Sequence, residues 1–96
     1  MLTVVRHPRF DIDFLSLASP VRDECWRVIA SLSRRPFAPG PGFRVEKLRG
    51  RASVERWTAH FLDNGYRLLY YVDGPNLVLV GVGLRPGFYR RLDRLR

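Results

Sequence analysis

The feature that most restricts this chain is a change of period at Phe43. Before it, apolar residues recur every three or four positions. From Phe43 to Leu84 apolar and polar residues tend to alternate, and two segments, Asp63-Asn64-Gly65 and Asp73-Gly74-Pro75-Asn76, interrupt the alternation. Side chains return to one side of a helix every 3.6 residues and to one side of a strand every second residue. Short links rich in Gly, Asn and Asp join antiparallel neighbours. The second half therefore predicts an antiparallel meander with strands over Phe43 to Leu48, Arg56 to Leu62, Tyr66 to Val72 and Leu77 to Leu84.

The first half supplies what covers that sheet. Leu2 to Val5 reads as a short strand ending at His7-Pro8, and Phe10, Phe14 and Leu17 give Arg9 to Leu17 the spacing of a first helix. A second helix should start with Ser19 as its N-cap, Pro20 in its first position and Asp23 and Glu24 in its first turn. Its apolar stripe is Val21, Cys25, Val28, Ile29 and Leu32. Pro36 opens PFAPGPG, which is too rich in proline and glycine to continue a helix. The tail FYRRLDRLR reads as a short basic helix. With 96 residues, no repeat and no low-complexity tract, residues 1–96 read as one domain. The fold class is α+β: two N-terminal helices packed on a small, mainly antiparallel sheet of four or five strands.

Parity then sorts the strands. Trp57, Ala59 and Phe61 point one way, with Arg56, Thr58 and His60 opposite. Tyr66, Leu68, Tyr70 and Val72 form the bulkier apolar set of the next strand, opposite Arg67, Leu69 and Tyr71. In the last strand Val78, Val80, Val82 and Leu84 are expected to face the helices, leaving Leu79, Gly81, Gly83 and Arg85 outward. His60, Arg67 and Arg85 thus come to one outward face that Gly81 and Gly83 leave open. A glycine inside a strand marks a close approach by a ligand or another backbone, or else a bulge or an inert surface position.

Composition says what such a face could bind. Lys and Arg number 17 against nine acids, for a net charge of +8, and sixteen of the 17 are arginine. The second half carries most of the excess, and VEKLRGR places Lys47, Arg49 and Arg51 close together. Guanidinium forks match phosphate oxygens, and Tyr71 or Tyr89 could stack on an unpaired base. An arginine-rich genome offers a plainer account of the same charge. His60 is the sheet residue suited to proton transfer near neutral pH, whereas His7, before Pro8, reads as structural. Cys25 lies in the helix stripe and reads as a core residue. One cysteine and two histidines do not make a zinc site, and no phosphate-binding loop, dinucleotide fingerprint, zincin motif or nucleophile elbow occurs. No metal or cofactor is expected. No stretch has the roughly 18 apolar residues of a membrane span, so neither a membrane partner nor export is expected, and a reducing cytoplasm is the expected compartment.

Three stretches, HPRFDIDFLSL, WTAHFLDNGYRLLYYVDG and VGVGLRPGFYRRL, resemble the RelE/ParE superfamily of toxins from bacterial type II toxin–antitoxin systems. The middle stretch is similar to the family's strand, turn and Y-R-hydrophobic-hydrophobic-Y, and the last to its V-G-x-R-x-x-x-Y-R ending. The resemblance implies a RelE-like fold and a cytoplasmic toxin neutralised by a cognate antitoxin, small and acidic enough to mask the charge. It further implies a ribosome-dependent endoribonuclease that cleaves mRNA by 2′-hydroxyl attack. Arg67 and Arg85 would then meet the scissile phosphate, Tyr89 would orient the substrate base, and the Lys47 to Arg51 stretch, with Tyr71 and Arg90, would bind RNA. Leu84 and Pro86 stand where many nucleolytic relatives carry a histidine or basic residue, which leaves His60 as the expected proton acceptor. The same family includes inhibitors of DNA gyrase that need no nuclease centre, and an attenuated member that only binds antitoxin is a third alternative.

Overall fold

The computed structural model describes residues 1–49 and 54–84. Along the chain lie β1 (Thr3–Arg6), α1 (Pro8–Leu15), α2 (Ser19–Arg34), β2 (Phe43–Lys47), β3 (Arg56–Phe61), β4 (Tyr66–Asp73) and β5 (Asn76–Leu84). The strands form one five-stranded sheet in the order β1-β5-β4-β3-β2. β1 runs parallel to β5, and every other neighbouring pair is antiparallel. This is the expected α+β arrangement. Among the described residues no helix is long and apolar enough to cross a membrane. The basic helix expected in the tail lies outside the described residues.

Local chemistry sets the element ends. His7 caps α1: its backbone is extended, its Nδ1 accepts from the Arg9 N–H at 3.1 Å, and Pro8 follows in the first turn, where a missing N–H costs nothing. α2 begins one residue earlier than expected. Its cap is Ala18, in extended backbone and without a side-chain cap bond, so Ser19 is already helical and the first turn holds no acid. Glu24 instead binds Arg27 one turn on. Asp73 and Asn76 pair directly across the β4–β5 turn. Gly74 there has φ +56, which fits the first central position of a type II′ turn.

The core follows from the stripe and the strands. Cys25, Val28, Ile29 and Leu32 of α2 and Phe10 of α1 pack on Phe43, Ala59, Phe61, Leu68, Tyr70, Leu77, Leu79 and Val82. Burying a side chain such as Ile29 or Leu32 contributes about 1.5 to 3 kcal/mol relative to exposure. Burial also pushes the Cys25 thiol up to about 12, so it is a core group held as the neutral thiol. Tyr70 is fully buried, and its hydroxyl donates to the Pro36 carbonyl at 2.5 Å, tying the proline-rich connector to the sheet.

β5 departs from the expected parity. Leu69 pairs with Gly81, but Tyr70 pairs with Leu79, so Val80 is an extra residue with no partner on β4. Such a bulge reverses which side chains face which way. Leu77 and Leu79 therefore enter the core in place of Val78 and Val80, which are half-buried. Beyond the bulge the even positions do face the helices: Val82 is core. Leu84, at the strand end, is exposed.

Candidate functional site

The sheet face away from the helices is built from cross-strand rows. Arg44, His60, Arg67 and Gly83 lie in register on β2, β3, β4 and β5, and the next row is Glu46, Thr58, Leu69 and Gly81. A third row contains Arg56, Tyr71 and Val78. With strands about 4.8 Å apart, Arg44 and Arg67 are separated by roughly 10 Å at the backbone.

His60 and Arg67 do share this face, but they are not the open surface groups that parity alone predicts. They are 1% and 5% exposed, and Thr58 and Leu69 beside them are fully buried. Alternation gives direction, not depth; here adjacent polar side chains bond to one another. Arg67 Nη1 contacts His60 Nδ1 and lies 3.0 Å from Nε2. Guanidinium carries donors only, so the nearer nitrogen, Nδ1, must accept. The ring is then the neutral Nε2–H tautomer, an assignment made from its partners. Nε2 lies 2.9 Å from Thr58 Oγ1, whose hydroxyl donates in turn to the Glu46 carbonyl at 3.4 Å. A buried cation on β4, a neutral histidine and a hydroxyl on β3 and the Glu46 carbonyl on β2 thus form one chain across three strands.

Two residues that the sequence reading passed over join the face at its β2 rim. The alternation of FRVEK turns Phe43 and Val45 toward the core and Arg44 and Glu46 away from it, a signal present in the sequence but unused. Arg44 donates from Nε to Asn64 Oδ1 at 3.1 Å and lies 3.4 Å from Glu46 Oε2. The Glu46 carboxylate, half exposed, is also 3.7 Å from His60 Nε2. It is a base open to solvent beside a cation and a buried imidazole.

The remaining predicted residues divide three ways. Tyr71 is half-buried on this same face, about 13 Å along β4 from Arg67. Lys47 pairs in register with Trp57, whose side chain belongs to the helix face; it is exposed and bound to Glu55 at 3.1 Å. Lys47 is therefore not brought to the Arg67 face, and Arg49 is exposed just beyond β2. Arg51, Arg85, Tyr89 and Arg90 lie outside the described residues. No group of three or more potential metal ligands occurs among the described residues. A groove of about 590 Å³ lies between the C-terminal half of α2 and the connector before Phe43. No residue of the Arg67 face lines it, and the chemistry described above lies elsewhere.

Solved structures share this architecture. The chain is similar to RelE in an archaeal RelE–RelB complex from Pyrococcus horikoshii, with TM-score 0.71 and 21% identity over 88% of this chain and 94% of that one. It matches the isolated E. coli RelE toxin with TM-score 0.70 and 19% identity over 100% of both chains. The fold is that of the RelE toxins. A RelB–RelE antitoxin–toxin complex from Methanococcus jannaschii adds a third RelE-like match, with TM-score 0.67 and 14% identity over 91% of this chain and 96% of that one. No protein-family model matches the chain, and no curated protein matches its sequence.

Proposed function

We propose that this chain is the toxin of a toxin–antitoxin pair and acts as a ribosome-dependent mRNA endonuclease. One observation carries the reading: on a RelE-type fold matched end to end, Arg67 is fixed by His60 on the sheet face that the Y-R motif points to. RelE is seen with RelB in several of the similar structures, which supports a cognate antitoxin as partner, small and acidic against a charge of +8. A ribosome-bound substrate places the action in the cytoplasm.

In this reaction the 2′-oxygen of one nucleotide attacks the adjacent phosphorus as the bond to the 5′-oxygen breaks. The products are a 2′,3′-cyclic phosphate and a 5′-hydroxyl, and the proton lost by the nucleophile must be matched by one gained by the leaving group. Arg67, with Arg85 from the terminal motif, neutralises the phosphate as charge builds on it. Tyr89 orients the base, and Tyr71, Arg49, Arg51 and Arg90 hold flanking RNA, with Lys47 at the periphery. Glu46 takes the 2′-hydroxyl proton in place of His60, because its carboxylate is open to solvent whereas both imidazole nitrogens have partners. His60 holds Arg67 in line.

The test is induced expression followed by mapping of 5′-hydroxyl mRNA ends on translated and untranslated copies of one transcript. Cuts confined to the translated copy are the expected result. Intact mRNA with growth arrest refutes the nuclease reading. Leu84 and Pro86, standing where many nucleolytic relatives carry a histidine or basic residue, favour a second reading, a DNA gyrase inhibitor without a nuclease centre, for which DNA damage with intact mRNA is the signature.

A further inference from the structure

Beyond the register of Leu79, β5 continues for five residues without β1 beside it, since β1 ends its pairing at Arg6. A strand edge left in this way presents backbone donors with no ladder partner. At Val82 the donor is taken by a side chain: Asp13 Oδ2 accepts from the Val82 N–H at 3.2 Å. Asp13 is the polar residue of the α1 face that packs on the sheet; it is 5% exposed, and Arg9 Nε lies 3.7 Å from its other oxygen. A Cβ placed on Gly81 would stand 3.0 Å from the same Oδ2, so a side chain there would press on the carboxylate. Gly81 is thus explained by the approach of Asp13, and it no longer needs a ligand to account for it.

We propose that Asp13 is a positioning residue for the proposed nuclease site, a carboxylate clamp that sets the end of β5 against β4. The clamp stands in for a missing strand residue just after the Val80 bulge, where the ladder is least determined by pairing. The register it holds places Gly83 opposite Arg67 and Gly81 opposite Leu69, which defines the floor beside the buried arginine. A neutral acceptor would make the same bond, so geometry rather than charge is the function of Asp13. This inference rests on the nuclease reading for its catalytic consequence, but not for the clamp itself.

The test compares Asp13→Ala, which removes the acceptor, with Asp13→Asn, which keeps an oxygen for Val82, in the full chain. Amide exchange at Val82, followed by NMR, reads the clamp without reference to activity. Protection should persist in the parent and in Asp13→Asn and be lost in Asp13→Ala at temperatures where both variants are folded. Single-turnover cleavage on translating ribosomes reads the consequence. Asp13→Ala should lose up to about 100-fold in rate with the half-saturating ribosome concentration within about threefold, and Asp13→Asn should restore most of the rate, as expected for a sub-ångström to ångström misplacement. Equal Val82 exchange in Asp13→Ala and the parent overturns the clamp. A folded Asp13→Ala that cleaves at the parent's rate overturns its role in positioning. A parent that cleaves no mRNA on any ribosome preparation defeats the nuclease reading, and the positioning role with it, while the exchange data still decide the clamp.

Discussion

The bulge at Val80 can be tested by two alanine substitutions one residue apart. Leu79 is fully buried in the core, and Leu79→Ala removes three carbons, or about 2.4 kcal/mol of transfer free energy at about 0.8 per methylene. An unfilled cavity raises this to about 3 kcal/mol or more. Val80 is half-buried, so Val80→Ala, which removes two carbons, should cost only about 0.8 kcal/mol. Unbroken alternation makes the opposite prediction, with Val80 in the core and its loss costing about 2 kcal/mol or more, and Leu79 on the outward face. Equilibrium urea unfolding measures both. For a domain of this size Leu79→Ala should lower the midpoint by between about 1 and 3 M and the melting temperature by roughly 12 to 24 °C. If Val80→Ala proves as destabilising as Leu79→Ala, the ladder is regular, and the placement of Leu79 in the core and of Val78 in the row with Arg56 and Tyr71 must be argued afresh.

The packing and the polar chain make five further outcomes testable. Cys25 should resist iodoacetamide at pH 8 in the native protein and react at once in denaturant, since burial raises its thiol to about 12. The native state therefore favours the protonated thiol, its contribution to stability is intact below about pH 9, and it is lost as pH rises toward about 12, where urea midpoints should fall. Tyr70→Phe should cost about 1 to 2 kcal/mol in urea unfolding, because it leaves the Pro36 carbonyl without its hydroxyl donor. Glu46→Gln should lower mRNA cleavage by about 10² to 10⁴-fold with the fold retained by circular dichroism, and an unchanged rate removes Glu46 as the base. His60→Ala leaves the charge of Arg67 in place; if holding that charge in line matters, cleavage should still fall by about 100-fold.

The architecture was legible because each element carries its own signal. Cys25, Val28, Ile29 and Leu32 repeat at helical spacing, the Asp73 to Asn76 turn has glycine where φ is positive, and Phe43 to Lys47 alternates. The parallel partner of β1 was not legible, since four exposed residues carry no mark of their neighbour. Nor was the bulge: valine fits either face of a pleated strand, so LVLVGVG reads as a regular alternation unless the register against β4 is known. Gly81 was read as a place for a ligand or another backbone, or else as a bulge or inert position; what lies beside it is the side chain of Asp13, 68 positions away in the chain, and no local pattern contains that information. Arg44 and Glu46 were within reach, because the parity that placed His60 places them too.

The depth of His60 and Arg67 bears most directly on function. A surface arginine has about 2 kcal/mol of rotamer entropy to lose when it fixes a phosphate. Arg67 has lost it already in folding, and the charge tolerates burial because a neutral imidazole accepts from it and the Thr58 hydroxyl oxygen accepts a hydrogen bond from the imidazole Nε2–H. Removing a partner from such a chain costs far more than the net value of the bond, which keeps the arrangement intact in the native state. An anion that reaches Arg67 meets a cation already aimed, as electrostatic stabilisation of a transition state requires. Simple capture of RNA by charge needs none of this: exposed arginines such as Arg44 and Arg49 would serve. The burial of one arginine among the basic residues described is therefore the stronger argument for the proposal that this face does chemistry as well as binding.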